Sequence, residues 1–209
     1  PGKPSYSQGI EQSTSGSDNL IHRQLDLAYL RFQRQYRGDE DELRGRQKEY
    51  VELLEEYLPS KEEEKPQLLD VACGDGIFLE LLKQHGWEPR GVDVNEAMVK
   101  QGKTRGVEIL QGDALSYLES CESKSLDAVT AFQFVEHLTP WQLMKVLKGA
   151  YRALRPGGLL LIETINPHTL MAMTWFHFDL SHERLIFPEM LQLLSETAGF
   201  QKVEWKGIN

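Results

Sequence analysis

From Gln67 onward, short apolar runs alternate with stretches whose apolar residues recur at helical spacing. The runs "QLLDVAC", "EPRGVDVN", "VEILQGD", "LDAVTAFQF" and "LLLIETIN" read as strands. Between them, "GIFLELLKQHG" reads as a helix closed by Gly86 and "EAMVKQGKTRG" as one closed by Gly106. "ALSYLES" is a short helix, and "TPWQLMKVLKGAYRALRPGG" a long one stopped by Pro-Gly-Gly. "PEMLQLLSETAGF" follows as a helix with Gly199 past its end, and "QKVEWKG" as a last strand. Apolar strands separated by helices predict an α/β fold, a doubly wound, mostly parallel sheet with helices on both faces.

Upstream, "NLIHRQLDLAYLRFQRQYRG" sets Leu20, Leu27, Leu30 and Phe32 among charges, which predicts an amphipathic helix ending near Gly38. "DEDELRGRQKEYVELLEEYLP" predicts a second helix, with acids in its first turn and a proline past its end. The expected organisation is a flexible tail at residues 1–19, a helical extension at 20–60 and the α/β domain at 61–209. The charge run "SKEEEK" reads as a solvated linker.

Charge narrows the partners. The net charge of −9 argues against nucleic acid or an anionic membrane surface as the main partner. No apolar run reaches the roughly 18 residues of a membrane span. The first residues, "PGKPSYSQGIEQSTSGSDN", lack the apolar core of a signal peptide. Cys73 and Cys121 form no CxxC pair and no disulfide framework, so the expected location is a reducing one, the cytoplasm. His168, His177, Asp179 and His182 match no common metal spacing, and no metal is expected.

The most informative joint is "DVACGDG", between the first strand and its helix. Gly74 and Gly76 thin the backbone where a ligand meets unpaired N–H groups at a helix N-terminus. They supply only the GxG part of a dinucleotide fingerprint, because Leu79 stands where the third glycine belongs. Asp70 precedes the loop, where it braces it or receives an ammonium. Asp93 lies 17 residues after Gly76, at the end of the second strand, placed to accept ribose hydroxyls. Asp113 ends the third strand and can meet an adenine amino group, with Ala114 and Leu115 beside it. Helix capping is the structural use open to each acid singly. Together they form a carboxylate rim that disfavours pyrophosphate and favours a cationic, phosphate-free nucleoside such as S-adenosylmethionine.

"LLDVACGDGIFLELL", "GVDVNEAMV", "GDAL", "LDAVTAFQFVEHL" and "LRPGGLLLIET" resemble, in order and spacing, the class I S-adenosylmethionine-dependent methyltransferases over about Gln67 to Thr164. The resemblance implies a Rossmann-like sheet and S-adenosylmethionine as cofactor. The donor-binding residues it implies are Arg37, Asp70, Ala72, Cys73, Gly74, Gly76, Asp93, Val94, Asp113, Ala114, Phe132, Gln133 and Phe134. Outside the core, Arg37-Gly38, Asn166-Pro167, "DLSH" from Asp179 to His182, and Pro188-Glu189 look like bacterial lipopolysaccharide and O-antigen methyltransferases. Those proteins commonly carry "DPTH" where this chain has "DLSH". That likeness implies O-methylation of a sugar or phosphate group on a glycan. A small-molecule methyltransferase of the quinone-precursor type and a non-catalytic cofactor-binding subunit are the alternatives. The closing strand usual in this fold is not visible before Asn209, so the chain is expected to belong to a longer protein.

An oxygen acceptor needs its proton removed near neutral pH. His137, in "VEHL" past the fourth strand, and His182, after the fifth, are the candidate bases, with Asp179 an orienting partner. His137 also has a bland reading, bonded to a loop carbonyl or capping a helix. Glu136 reads as structural or as a cap. Phe132, Gln133 and Phe134 are expected against the donor, and Arg37 at its carboxylate, with Gln47 and Tyr50 helping to close the pocket. "MAMTWFHF", Met171 to Phe178, reads as a lid or as an acceptor surface.

Overall fold

The computed structural model describes residues 16–36, 38–58 and 65–207. Two helices come first, α1 (Gly16–Tyr36) and α2 (Glu40–Tyr57). Then follow β1 (Leu68–Val71), α3 (Ile77–Gln84), β2 (Arg90–Asp93), α4 (Glu96–Thr104), β3 (Glu108–Gln111) and α5 (Ala114–Ser120). The chain continues through β4 (Leu126–Phe132), a 3-10 turn (Val135–His137), α6 (Pro140–Ala153), β5 (Leu154–Glu163), α7 (Leu170–Phe178) and α8 (Pro188–Ala198). The strands form one sheet in the order β3-β2-β1-β4-β5, the doubly wound arrangement expected. The described chain divides into two compact units, one of the residues up to Pro66 with Cys73–Asp113, the other of Gln67–Ala72 with Ala114 onward.

In the first unit β2 and β3 pair in parallel, with Asp93 opposite Gln111. Leu79, Val99, Val107 and Ile109 pack into a buried cluster that Cys73 joins. Local chemistry explains the helix starts. The Asp39 carboxylate caps α2 by accepting from Glu42 N–H, and the Asn95 side chain caps α4 by accepting from Ala97 and Met98.

In the second unit β1 pairs with β4 and β4 with β5, all parallel. β1 is buried at every position, Asp70 included, as expected of a strand covered on both faces. Thr139 and Gln142 form a capping box on α6, with Pro140 at its first turn.

Two expectations change. Pro-Gly-Gly does not stop α6, which ends at Ala153; Pro156 and the left-handed Gly157 lie inside β5, where the β4–β5 register shifts. The clash of Pro156 with a helical predecessor ends the helix earlier than the glycines do. The strand expected at "QKVEWKG" is absent, since Gln201–Gly207 take no strand conformation. Alternation of Val203 and Trp205 with charges suits a strand, but a strand exists only where a partner receives its N–H and C=O groups.

Candidate active site

In the first unit, Cys73-Gly74-Asp75-Gly76 turns into α3 with both glycines left-handed, at φ 58° and 75°. A Cβ on Gly76 would meet Ile109 Cδ1 at 2.7 Å, whereas one on Gly74 would meet nothing within 4 Å. Packing therefore demands the second glycine; the first faces open space.

Asp93 organises this turn. Its Oδ2 accepts the Gly74 N–H at 2.8 Å and its Oδ1 the Asn95 N–H at 2.8 Å, with the residue 9% exposed. A carboxylate oxygen can accept more than one hydrogen bond. Val94 is 66% exposed, an apolar surface directly after the acid. Asp113 is half-buried just past β3. Arg37 lies outside the described residues, while Gln47 and Tyr50 are buried on α2.

The turn is also held from its other side. Arg105 donates to the Asp75 carbonyl at 3.1 Å and to its carboxylate at 2.9 Å, and Gln101 donates to that carboxylate at 3.0 Å. Arg105 also grips Glu40 at 2.9 and 3.0 Å, and Arg44 joins Glu40 to Glu80. The Arg105 and then the Arg44 hydrogen bonds push the Glu40 carboxyl down to about 2. Sequence reasoning missed this network, because the first-turn acids of α2 are already explained by the helix dipole.

In the second unit, two non-glycine residues stand in the left-handed region at strand ends, Ala72 at φ 55° after β1 and Gln133 at φ 49° after β4. Such residues cost on the order of 1–3 kcal/mol and gather at functional sites. Val71 pairs with Ala131, so both leave neighbouring strands at nearly the same level. Asp70, 2% exposed, accepts the Thr130 hydroxyl at 2.6 Å. Gln133 is fixed by Glu163, through its side chain at 2.8 Å and its backbone N–H at 2.9 Å. Phe132 is buried and Phe134 half-buried, while Ala114 is buried at the start of α5.

The same unit gathers the candidate bases. Backbone N–H groups of Glu183 and Arg184 donate to the Glu136 carbonyl at 2.9 and 3.2 Å, docking the Asp179–Arg184 segment on the 3-10 turn. This brings His137 and His182 to a ring-centroid separation of 4.7 Å. His137 Nδ1 lies 3.2 Å from the Ser181 carbonyl and 3.1 Å from its hydroxyl, which in turn donates to Asp179 Oδ1 at 2.5 Å. His182 Nδ1 lies 2.8 Å from the Phe176 carbonyl, and the Phe176 ring stacks on His182 at 5.1 Å. A carbonyl only accepts, so at these contacts Nδ1 is the donor. The loop-carbonyl bond of the bland reading is thus present.

Glu136, expected to be structural or a cap, is fully buried and accepts the Thr164 hydroxyl at 2.9 Å. One ligand atom each from Glu136, His137 and His182 lies within 4.8 Å of the others. Glu136, Ser181 and Thr164 carried no spacing signal, since Thr164 comes from the end of β5 and Ser181 from a docked segment; only the Glu-His adjacency was visible. The apolar "MAMTWFHF" forms most of α7, with Met171, Met173, Trp175 and Phe178 exposed.

The model of the methyltransferase domain family matches residues 43–204. The chain belongs to that family. It is a class I S-adenosylmethionine-dependent methyltransferase domain, as the strand-end residues led us to expect. A methyltransferase of the same dependence from Archaeoglobus fulgidus superposes with a TM-score of 0.76 at 34% identity, over 84% of this chain and 76% of that one. A probable S-adenosylmethionine-dependent methyltransferase of Mycolicibacterium smegmatis is 32% identical over 68% of this chain and 54% of its own length. A ubiquinone biosynthesis O-methyltransferase of Idiomarina loihiensis is 25% identical over 68% of this chain and 64% of its own. The methyltransferase domain thus spans roughly half to two thirds of these curated relatives. None of these relatives is named for lipopolysaccharide processing. Among the described residues, no helix is long and apolar enough to cross a membrane.

Proposed function

We propose that this methyltransferase domain transfers the methyl group of S-adenosylmethionine to a hydroxyl oxygen of a small phenolic acceptor of the quinone-precursor type. The observation that carries the oxygen acceptor is the pair of half-buried imidazoles, 4.7 Å apart between ring centroids, each with Nδ1 at a backbone carbonyl. A phenol needs help in losing its proton, and a hydroxyl oxygen within reach of a neutral imidazole receives that help. Two relatives named as ubiquinone O-methyltransferases, both at 25–26% identity, support the acceptor class.

The donor belongs to the turn and strand ends. Gly74 leaves room for it, Asp93 sets the turn while offering oxygens to ribose, and exposed Val94 offers an apolar face to the base. Cys73 and Cys121 are thiols and form no disulfide among the described residues, which fits a reducing compartment and makes the cytoplasm the proposed location.

A saccharide acceptor is the second reading. It draws on "DLSH", whose Ser181 keeps the hydroxyl of the "DPTH" pattern and uses it between Asp179 and His137. Exposed Trp175 and Phe178 would suit a sugar ring. The test is formation of S-adenosylhomocysteine from S-adenosylmethionine across a panel of catechols, hydroxybenzoates, hexoses and simple amines. Turnover on catechols above the sugars supports the proposal, turnover on hexoses alone replaces it with the second reading, and turnover confined to amines overturns both.

A further inference from the structure

We infer that Arg105 is a positioning residue for the methyl donor, and that through Glu40 it makes α2 part of the donor site. This rests on the reading that the donor lies at the turn from Cys73 to Gly76. The Arg105 side chain, 12% exposed, engages all three of its guanidinium nitrogens. Nε donates to the Asp75 carbonyl at 3.1 Å. One Nη donates to the Asp75 carboxylate at 2.9 Å and to Glu40 at 3.0 Å, the other to Glu40 at 2.9 Å and to Glu80 at 3.4 Å. A planar fork that holds three acids and a peptide oxygen at once is not a solvated charge at a helix end.

The turn needs such a hold. Asp75 stands between two left-handed glycines, and glycine restricts its own backbone less than any other residue. Asp93 fixes the peptide ahead of Gly74 by accepting its N–H, and Arg105 fixes the peptide ahead of Gly76 by donating to the Asp75 carbonyl. The end of α4 is built for this approach. Gln101 donates to the Asp75 carboxylate at 3.0 Å, and a Cβ on Gly102 would stand 2.9 Å from the Asp75 carbonyl oxygen. Gln101, Gly102 and Arg105 thus meet the turn together, the glycine allowing the contact and its two neighbours gripping.

Glu40 carries the hold into α2. It lies in the first turn of that helix and bonds Arg105 twice, while Arg44 joins it to Glu80 in the first turn of α3. The donor turn, α3, α4 and the start of α2 therefore share one network of charge-assisted bonds. Groups that keep the turn in its donor-binding shape raise affinity, and the bound donor in return stabilises those groups. Loss of Arg105 releases the turn and leaves Glu40, Asp75 and Glu80 without the cation they share.

The test titrates S-adenosylhomocysteine calorimetrically into the 209-residue chain and its variants, at a temperature where circular dichroism shows each to be folded. Arg105→Gln, which loses the fork, should raise Kd about tenfold, and Arg105→Lys, which keeps only the charge, about threefold or more. Glu40→Gln should raise it about threefold, and adding that change to Arg105→Gln should raise it no further. Hydrogen exchange supplies a readout that a merely structural role would not move. S-adenosylhomocysteine should slow exchange over residues 42–47 of α2 in the wild type and not in Glu40→Gln. Should Arg105→Gln fail to fold, Arg105→Lys and Glu40→Gln carry the test. Wild-type affinity in folded Arg105 variants overturns the positioning role, and equal slowing in Glu40→Gln overturns the part given to α2. Asp93→Ala separates the two readings. If it also binds as the wild type does, the donor lies away from the turn; if it alone binds weakly, the turn reading stands and only the role of Arg105 falls.

Discussion

The Asp93 carboxylate accepts the backbone N–H of Gly74 at 2.8 Å, so the residue expected at a ribose also sets the turn that admits the ligand. Removing this acid therefore acts twice. Asp93→Ala should reduce affinity for S-adenosylhomocysteine by well over tenfold. It should also lower stability by about 1–3 kcal/mol, because two backbone donors lose their acceptor. Calorimetric titration and urea unfolding measure the two effects separately; wild-type affinity would place the ribose elsewhere.

The two glycines of the turn should fail differently. Gly76→Ala adds a Cβ at 2.7 Å from Ile109 in a left-handed residue, and is expected to destabilise by roughly 2–4 kcal/mol. Gly74→Ala meets no atom within 4 Å, so only the conformational penalty of about 1–2 kcal/mol applies. Its larger effect should be on donor binding, because the methyl group enters open space beside the turn. Equal losses of stability in the two variants would contradict this division.

Acid should weaken the link between α2 and the turn. The Glu40 carboxyl is lowered from 4.5 to about 2 by Arg105 and Arg44, so its contribution is fully present above its unfolded value. That contribution disappears as pH falls from about 4.5 towards 2. The difference in urea midpoint between wild type and Glu40→Gln should accordingly be larger near pH 6 than near pH 3. A difference that stays constant over that range would show that the pairing carries no stability.

Ser181 offers the cleanest probe of the histidine cluster. Its hydroxyl joins Asp179 to His137. Ser181→Ala should lower turnover about tenfold or more, as loss of an orienting hydrogen bond does, while affinity for S-adenosylhomocysteine stays at the wild-type value. Ser181→Thr should restore most of the rate. An alanine variant with full turnover would leave the hydroxyl a purely local role.

Alternating apolar runs and helical spacing were enough to predict the doubly wound sheet, because burial on both faces of a parallel strand is written into consecutive residues such as Leu68 to Val71. Gly74, Gly76 and Asp93 were legible for a related reason: the conformation of a turn and the end of a strand are local demands. Tertiary structure alone decided the rest. Glu136 became part of a cluster, and Ser181 a bridge, because the Asp179–Arg184 segment docks through backbone bonds on the Val135–His137 turn, 44 residues away in sequence for His137 and Ser181. Arg105 reached Glu40 across 65 residues by the same kind of meeting. The strand expected at Gln201–Gly207 failed for the complementary reason, since alternation supplies a face but pairing needs a neighbour that local sequence does not specify.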